Sequence, residues 1–166
     1  MQDLFSTRPG GLLAGNSAVQ IRRGAACARL SLRARGDLTP LGMALGLTLP
    51  TTIGQRVRSD RVEALCLGPD EWILLAADAA PLIEVCAGIY DRVPHSLVDI
   101  SGREVSFEIE GPYATDLITI GCPRDPASIA PGSARRTVFD GATVVLWRDA
   151  QTSYRMDVWN SFAPHL

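Results

Sequence analysis

Two short runs, Ala64-Leu65-Cys66-Leu67 and Trp72-Ile73-Leu74-Leu75, are apolar at every position, and only Gly68-Pro69-Asp70-Glu71 separates them. Proline pre-sets φ for the second position of a tight turn, and aspartate suits the next one, so the runs read as hairpin arms at 61–67 and 72–77. A strand with one wet face alternates apolar and polar residues; these two do not, which is the pattern of strands buried on both faces. Helices cover one face of the sheet in a small two-layer domain, and something else must cover the other. An internal sandwich core and a partner protein both satisfy that demand. Sequence pattern alone does not separate the two.

The rest of the chain supplies the layers. Residues 27–35 alternate as a strand, with Leu30, Leu32 and Ala34 opposite Arg29, Ser31, Arg33 and Arg35. Thr39-Pro40 starts a short helix that stops at Gly46, because proline is pre-organised for the first helical position and glycine for the residue past the end. Asp78 caps a second helix carrying Leu82, Val85, Cys86 and Ile89 inward. A strand follows at 96–100. The plan then restarts: a strand at 104–110 sets Val105, Phe107 and Ile109 against Glu104, Ser106, Glu108 and Glu110. A helix follows from Gly111-Pro112 to Ile120, then strands at 134–139, 143–148 and 154–158, and a last helix from Ser161-Phe162.

Five identities recur at an offset of 75: Ser31/Ser106, Gly36/Gly111, Gly46/Gly121, Arg61/Arg136 and Trp72/Trp147. Both glycine pairs fall at matching helix boundaries, which indicates a duplicated β-α-β-β unit. The fold expected is therefore α+β, a mostly antiparallel sheet with helices on one face. The repeats span about 26–93 and 101–166 within one domain, after a loose lead at 1–16. The first repeat's strand is Arg-rich on its polar side and the second's is Glu-rich, so side-by-side placement would give cross-strand ion pairs.

Composition narrows the function. Hydrophobic residues at 46 % and charged residues at 20 % are an ordinary globular balance. A net charge of −2 offers no basic footprint for nucleic acid. All 16 basic residues are arginine, so Schiff-base, P-loop and kinase lysines are excluded. Cys27, Cys66, Cys86 and Cys122 form no CxxC pair, and with only His95 and His165 as imidazoles a zinc site has no compact ligand set. The longest uncharged stretch, 38–55, is broken by Pro40, Pro50 and three glycines, which excludes a membrane span; the N-terminus has no signal-peptide pattern, and a reducing cytoplasm fits best.

A search for catalytic devices finds none of the phosphate-cradling, nucleophile-elbow or zincin motifs. Asp70-Glu71 reads as a turn and not as an acid/base pair. Gly121-Cys122-Pro123 reads as a helix end whose thiol has no neighbouring cation. Neither catalytic, cofactor-binding nor metal-ligating residues are assigned. Trp72, Trp147, Trp159 and Phe162 are instead the candidate anchors of a protein interface, since large aromatics dominate such contacts.

Three blocks, LGPDEWILL, VDISGREVSFEIEGPYATDLITIGCPRD and VVLWRDAQTSYRMDVWNSFAPHL, resemble in order and spacing the gamma subunits of heterotetrameric sarcosine oxidases, from about Leu45 to the C-terminus. The resemblance implies a fold related to the N-terminal folate-binding domain of the glycine-cleavage T-protein. It also implies a non-catalytic structural subunit docked chiefly on alpha, with beta and delta completing the complex, and with it the expectation of a partner subunit across the 61–77 hairpin, Trp72 near the seam. FAD, FMN, NAD and tetrahydrofolate would then sit on partner subunits, and the complex would demethylate sarcosine to glycine and pass the one-carbon unit to folate. Two other readings keep the fold: a stand-alone folate-binding module, and a gamma-like subunit of a dehydrogenase for another N-methyl amino acid such as N-methylglutamate.

Overall fold

A computed structural model describes residues 11–166. In chain order the elements are β1 (Gly11–Gly15), β2 (Gln20–Arg23), β3 (Ala28–Ala34), α1 (Thr39–Leu45), β4 (Arg56–Arg58), β5 (Val62–Gly68), β6 (Glu71–Ala76), α2 (Ala80–Ala87), β7 (His95–Asp99), β8 (Glu104–Glu110), α3 (Ala114–Gly121), a 3-10 turn at Pro126–Ser128, β9 (Ser133–Phe139), β10 (Ala142–Ala150) and β11 (Ser153–Trp159). The chain divides into two compact units, Cys27–Ser101 and Gly102–Leu166 with Met1–Ala26. Each unit carries its own antiparallel sheet with helices, so the α+β class holds with two sheets in place of one.

In the unit Cys27–Ser101 the strand order is β4-β5-β6-β3-β7. Even-numbered side chains of its central strands, among them Leu30, Leu32, Ala64, Cys66, Trp72 and Leu74, pack with Leu41 and Leu45 of α1 and Leu82 and Cys86 of α2. Local chemistry sets the helix ends. The Asp37 carboxylate accepts the Thr39 N–H at 2.9 Å, and Gly46 closes α1 at φ 73°, a left-handed conformation that costs glycine nothing. Asp78 does the same for α2 by accepting the Ala80 N–H at 3.0 Å. Inside α1, a Cβ at Gly42 would lie 2.6 Å from the Leu47 carbonyl oxygen, so the chain can fold back onto the helix only over glycine.

In the other unit the order is β1-β2-β8-β11-β10-β9. Val105, Ile109, Val144, Leu146, Tyr154, Met156 and Val158 meet Ala114 and Ile118 of α3 and Ile129. Asp140 and Gly141, at φ 45° and 82°, are the two-residue turn joining β9 to β10, the tight connection whose twist matches a hairpin. Gly111, at φ 134°, lets β8 turn under the Ala18 carbonyl; a Cβ there would approach that oxygen to 2.4 Å.

The two sheets are related, but not by one offset. In the first, a cross-strand row runs Arg56, Leu65, Ile73, Ser31. In the second it runs Arg136, Val145, Asp157, Ser106. Ser31 and Ser106 thus stand in the same place, whereas Arg136 answers to Arg56, not Arg61. By the same register Trp72 answers to Met156, since each sits opposite the central strand at Leu32 and Phe107. The separation grows because the segment after α3 and the β10–β11 hairpin are longer than their counterparts. Two of the five identities at 75, Arg61/Arg136 and Trp72/Trp147, are therefore off register.

Three further expectations change. Of the lead at 1–16, residues 1–10 lie outside the described residues; Gly11–Gly15 form β1, which pairs with β2, and β2 pairs with β8 as β7 pairs with β3, so an N-terminal segment completes the second sheet. The Arg-rich β3 and Glu-rich β8 lie in different sheets and are not neighbours; Arg33 and Arg35 meet Asp70 instead. Residues 160–165 are successive turns and form no helix.

Candidate functional site

Trp72 and Trp147 have no surface to give a partner: they are 1 % and 0 % exposed. The Trp72 indole N–H donates to the Pro50 carbonyl at 2.7 Å, with the ring among the core side chains under α1 and α2. An indole carries a large apolar body and one donor, and both are satisfied internally. Leu65, Ile73 and Leu75, on the opposite side of the same hairpin, are buried in the chain by itself. The expectation of a partner subunit across this hairpin is thereby corrected.

Trp147 belongs to a buried polar group that includes Ser106, which alternation places on a polar strand face. Its Nε1–H donates to Asp157 Oδ2 at 2.8 Å, and the Ser106 hydroxyl donates to Asp157 Oδ1. The Arg155 guanidinium lies 4.6 Å from the Trp147 ring centroid and is clamped by Asp149 through bonds of 2.7 and 3.2 Å. The buried Arg148 donates to the carbonyls of Ala127, Ile129 and Gln151 and ties the segment after α3 to β10. The Asp157 oxygens and the terminal nitrogens of Arg148 are thus engaged by this chain's own side chains and backbone, while the buried Arg148 Nε has no hydrogen-bond partner among the described residues.

Trp159 and Phe162 are the two candidate residues that the fold does bring together at the surface. They are 47 % and 44 % exposed, with ring centroids 6.3 Å apart. The Arg103 guanidinium sits 5.4 Å from the Trp159 ring centroid. The end of β11 places Trp159, the following turns return Phe162 to it, and the Asn160 side-chain amide fastens the turn by donating to the Gly102 carbonyl at 2.6 Å. Two aromatic rings and a cation thus share one exposed patch at a strand end.

The histidines and the paired carboxylates are, among the described residues, held by near neighbours. His95 Nδ1 lies 2.7 Å from the Val93 carbonyl, and His165 lies 3.3 Å from Asp140 at an exposed position. The Asp70 carboxyl is held below the usual carboxylate range, first by the hydrogen bond from Arg35 and then by the charges of Arg35 and Arg33. It is an ion-paired turn residue, and Glu71 joins the same cluster through Arg33 at 3.2 Å. Among the described residues no three His, Cys, Asp or Glu side chains are placed to hold a metal ion, and no helix is long and apolar enough to cross a membrane.

The four thiols are free; Cys66, Cys86 and Cys122 are buried and Cys27 is partly exposed. Burial pushes the Cys66 and Cys86 thiols up, away from the reactive thiolate. Iodoacetamide at pH 8 is expected to label at most Cys27 in the native protein and all four after denaturation, as counted by intact mass. Native labelling of Cys66 or Cys86 would show that the core opens where the structure closes it.

No protein-family profile matches the chain. It is 32 % identical over 160 residues to the sarcosine oxidase subunit gamma of Corynebacterium sp. (strain U-96), covering 92 % of this chain and 78 % of that one. Among solved structures it superposes on a chain of the heterotetrameric sarcosine oxidase from Corynebacterium sp. U-96 with a TM-score of 0.81, at 30 % identity, over 93 % of this chain and 82 % of that one. The glycine cleavage system aminomethyltransferase T from Bartonella henselae matches with a TM-score of 0.62 at 12 % identity, over 96 % of this chain and 45 % of that one, a likeness of fold alone.

Proposed function

Because the chain belongs to the family of sarcosine oxidase gamma subunits, we propose that it is a non-catalytic, structural subunit of a flavin-dependent sarcosine oxidase complex. In that complex alpha is its main contact, and beta and delta complete the assembly. The observation that carries the reading is a match to these gamma subunits over 92 % of this chain, paired with histidines held at Val93 and Asp140, the Asp70 carboxylate in an ion-paired turn, and three of the four thiols in the core. FAD, FMN, NAD and tetrahydrofolate belong to the partner subunits in this reading. The buried polar groups here support it, since Asp157 and Arg148 are engaged by this chain's own atoms.

Trp159 and Phe162, with Arg103, are the contact anchors in this proposal. Co-expression with the alpha, beta and delta chains of the same genome is expected to yield one four-chain peak that oxidises sarcosine, while the isolated chain oxidises none. An active complex that forms without this chain would overturn the proposal. A Trp159→Ala/Phe162→Ala variant is expected to be retained at least tenfold less by the complex, the scale of losing interface hot spots. Its own unfolding free energy should stay within about 0.5 kcal/mol of wild type, as for surface substitutions generally.

A further inference from the structure

Four strands end the two sheets among the described residues, and three of them are protected. β9 carries Arg135 and Arg136, β4 is only three residues long and carries Arg56 and Arg58, and β7 carries His95 and Asp99. Charges and short length are the usual devices that keep an unpaired row of N–H and C=O groups from recruiting another strand. β1, Gly-Leu-Leu-Ala-Gly, has neither charge nor proline, and all five of its residues are exposed. Leu12 and Leu13 are each 57 % exposed. The register with β2 passes from Leu12 opposite Arg22 to Ala14 opposite Ile21, so Leu13 is a bulge residue with no partner across the pair. A Cβ built on Gly11 meets nothing within 4 Å, which leaves room for a backbone to approach.

We infer that the outer edge of β1 takes an extended, uncharged segment of a partner subunit as an added strand. Edge addition is recognised through the main chain, with side-chain pockets adding selectivity, and the ligand class follows: a backbone in β conformation with apolar residues facing Leu12 and Leu13. A second copy of this chain does not meet the requirement. Two five-residue strands paired alone fall far short of the ~1,200 Å² that stable interfaces bury. A subunit already held by other contacts needs only the local main-chain bonds. The inference therefore rests on the reading of the chain as part of a complex.

Hydrogen exchange of residues 11–15, read by mass spectrometry in the isolated chain and in the assembled four-chain complex, tests it. Assembly is expected to slow exchange in this segment at least tenfold. Leu13→Lys, which restores an edge charge without removing a backbone donor, is expected to weaken retention about tenfold and leave the circular dichroism melt of the isolated chain unchanged. Equal exchange in the two states overturns the inference. So does protection that rises with the concentration of the isolated chain, which identifies a second copy. Protection in the isolated chain that disappears when residues 1–10 are deleted also overturns it, because the chain then covers its own edge. A chain that never joins the complex overturns the subunit reading and this inference together, whereas assembly with unchanged exchange overturns this one alone.

Discussion

Asp157→Ala is expected to lower the unfolding free energy by about 3 kcal/mol, and Asp157→Asn to recover most of that loss. The carboxylate is 3 % exposed and receives the Trp147 indole N–H and the Ser106 hydroxyl. Truncation leaves two donors in a place that water does not reach, and each buried donor without an acceptor costs about 1–3 kcal/mol. The rescue follows from what the two donors can do. Indole N–H is donor-only, so an asparagine must turn its carbonyl oxygen toward Trp147. Its NH2 then faces Ser106, and a hydroxyl can accept as readily as donate. Urea unfolding of the three proteins checks the order. Wild-type stability in Asp157→Ala would mean that the group is solvated and that this side of the second sheet is open.

The same residues show why part of the molecule was legible beforehand and part was not. Helix ends were, because Asp37, Gly46 and Asp78 act on backbone groups within a few positions of themselves, and short-range chemistry is written locally. Strands with a strict period were legible too: β8 occupies the expected residues without a shift. Ser106 was misread for the opposite reason. It alternates with Val105 and Phe107 just as a wet face would, and only pairing β8 with β11 brings its hydroxyl to the Asp157 carboxylate. Register between distant strands decides that, and a single sequence does not state it. Trp72/Trp147 failed likewise, since matching letters at one offset say nothing about hairpins of unequal length.

Of the candidate anchors, the structure brings Trp159 and Phe162 together at the surface and withdraws Trp72 and Trp147 from it. An aromatic at the end of a strand has the protein on one side only, whereas one between two apolar neighbours in a central strand is enclosed. By that rule Trp72, between Cys66 on β5 and Leu32 on β3, belongs to the core.

Trp72→Ala is accordingly expected to cost about 3–5 kcal/mol, the range for deleting a fully buried large aromatic, because the lost contacts and the residual cavity add. Trp72→Phe keeps most of the ring volume and loses the bond to the Pro50 carbonyl, a cost of about 1–2 kcal/mol. The informative comparison crosses stability with assembly. A core residue moves the unfolding free energy and leaves the affinity of the folded fraction alone; a surface anchor does the reverse. Trp72→Phe should therefore unfold earlier in urea yet join the complex with wild-type affinity at temperatures where it is folded. Trp159→Ala should unfold as wild type does and be retained weakly. If Trp72→Phe instead keeps its stability and loses its partners, the hairpin is an interface after all, and the burial of Leu65, Ile73 and Leu75 within this chain does not describe the protein in its complex.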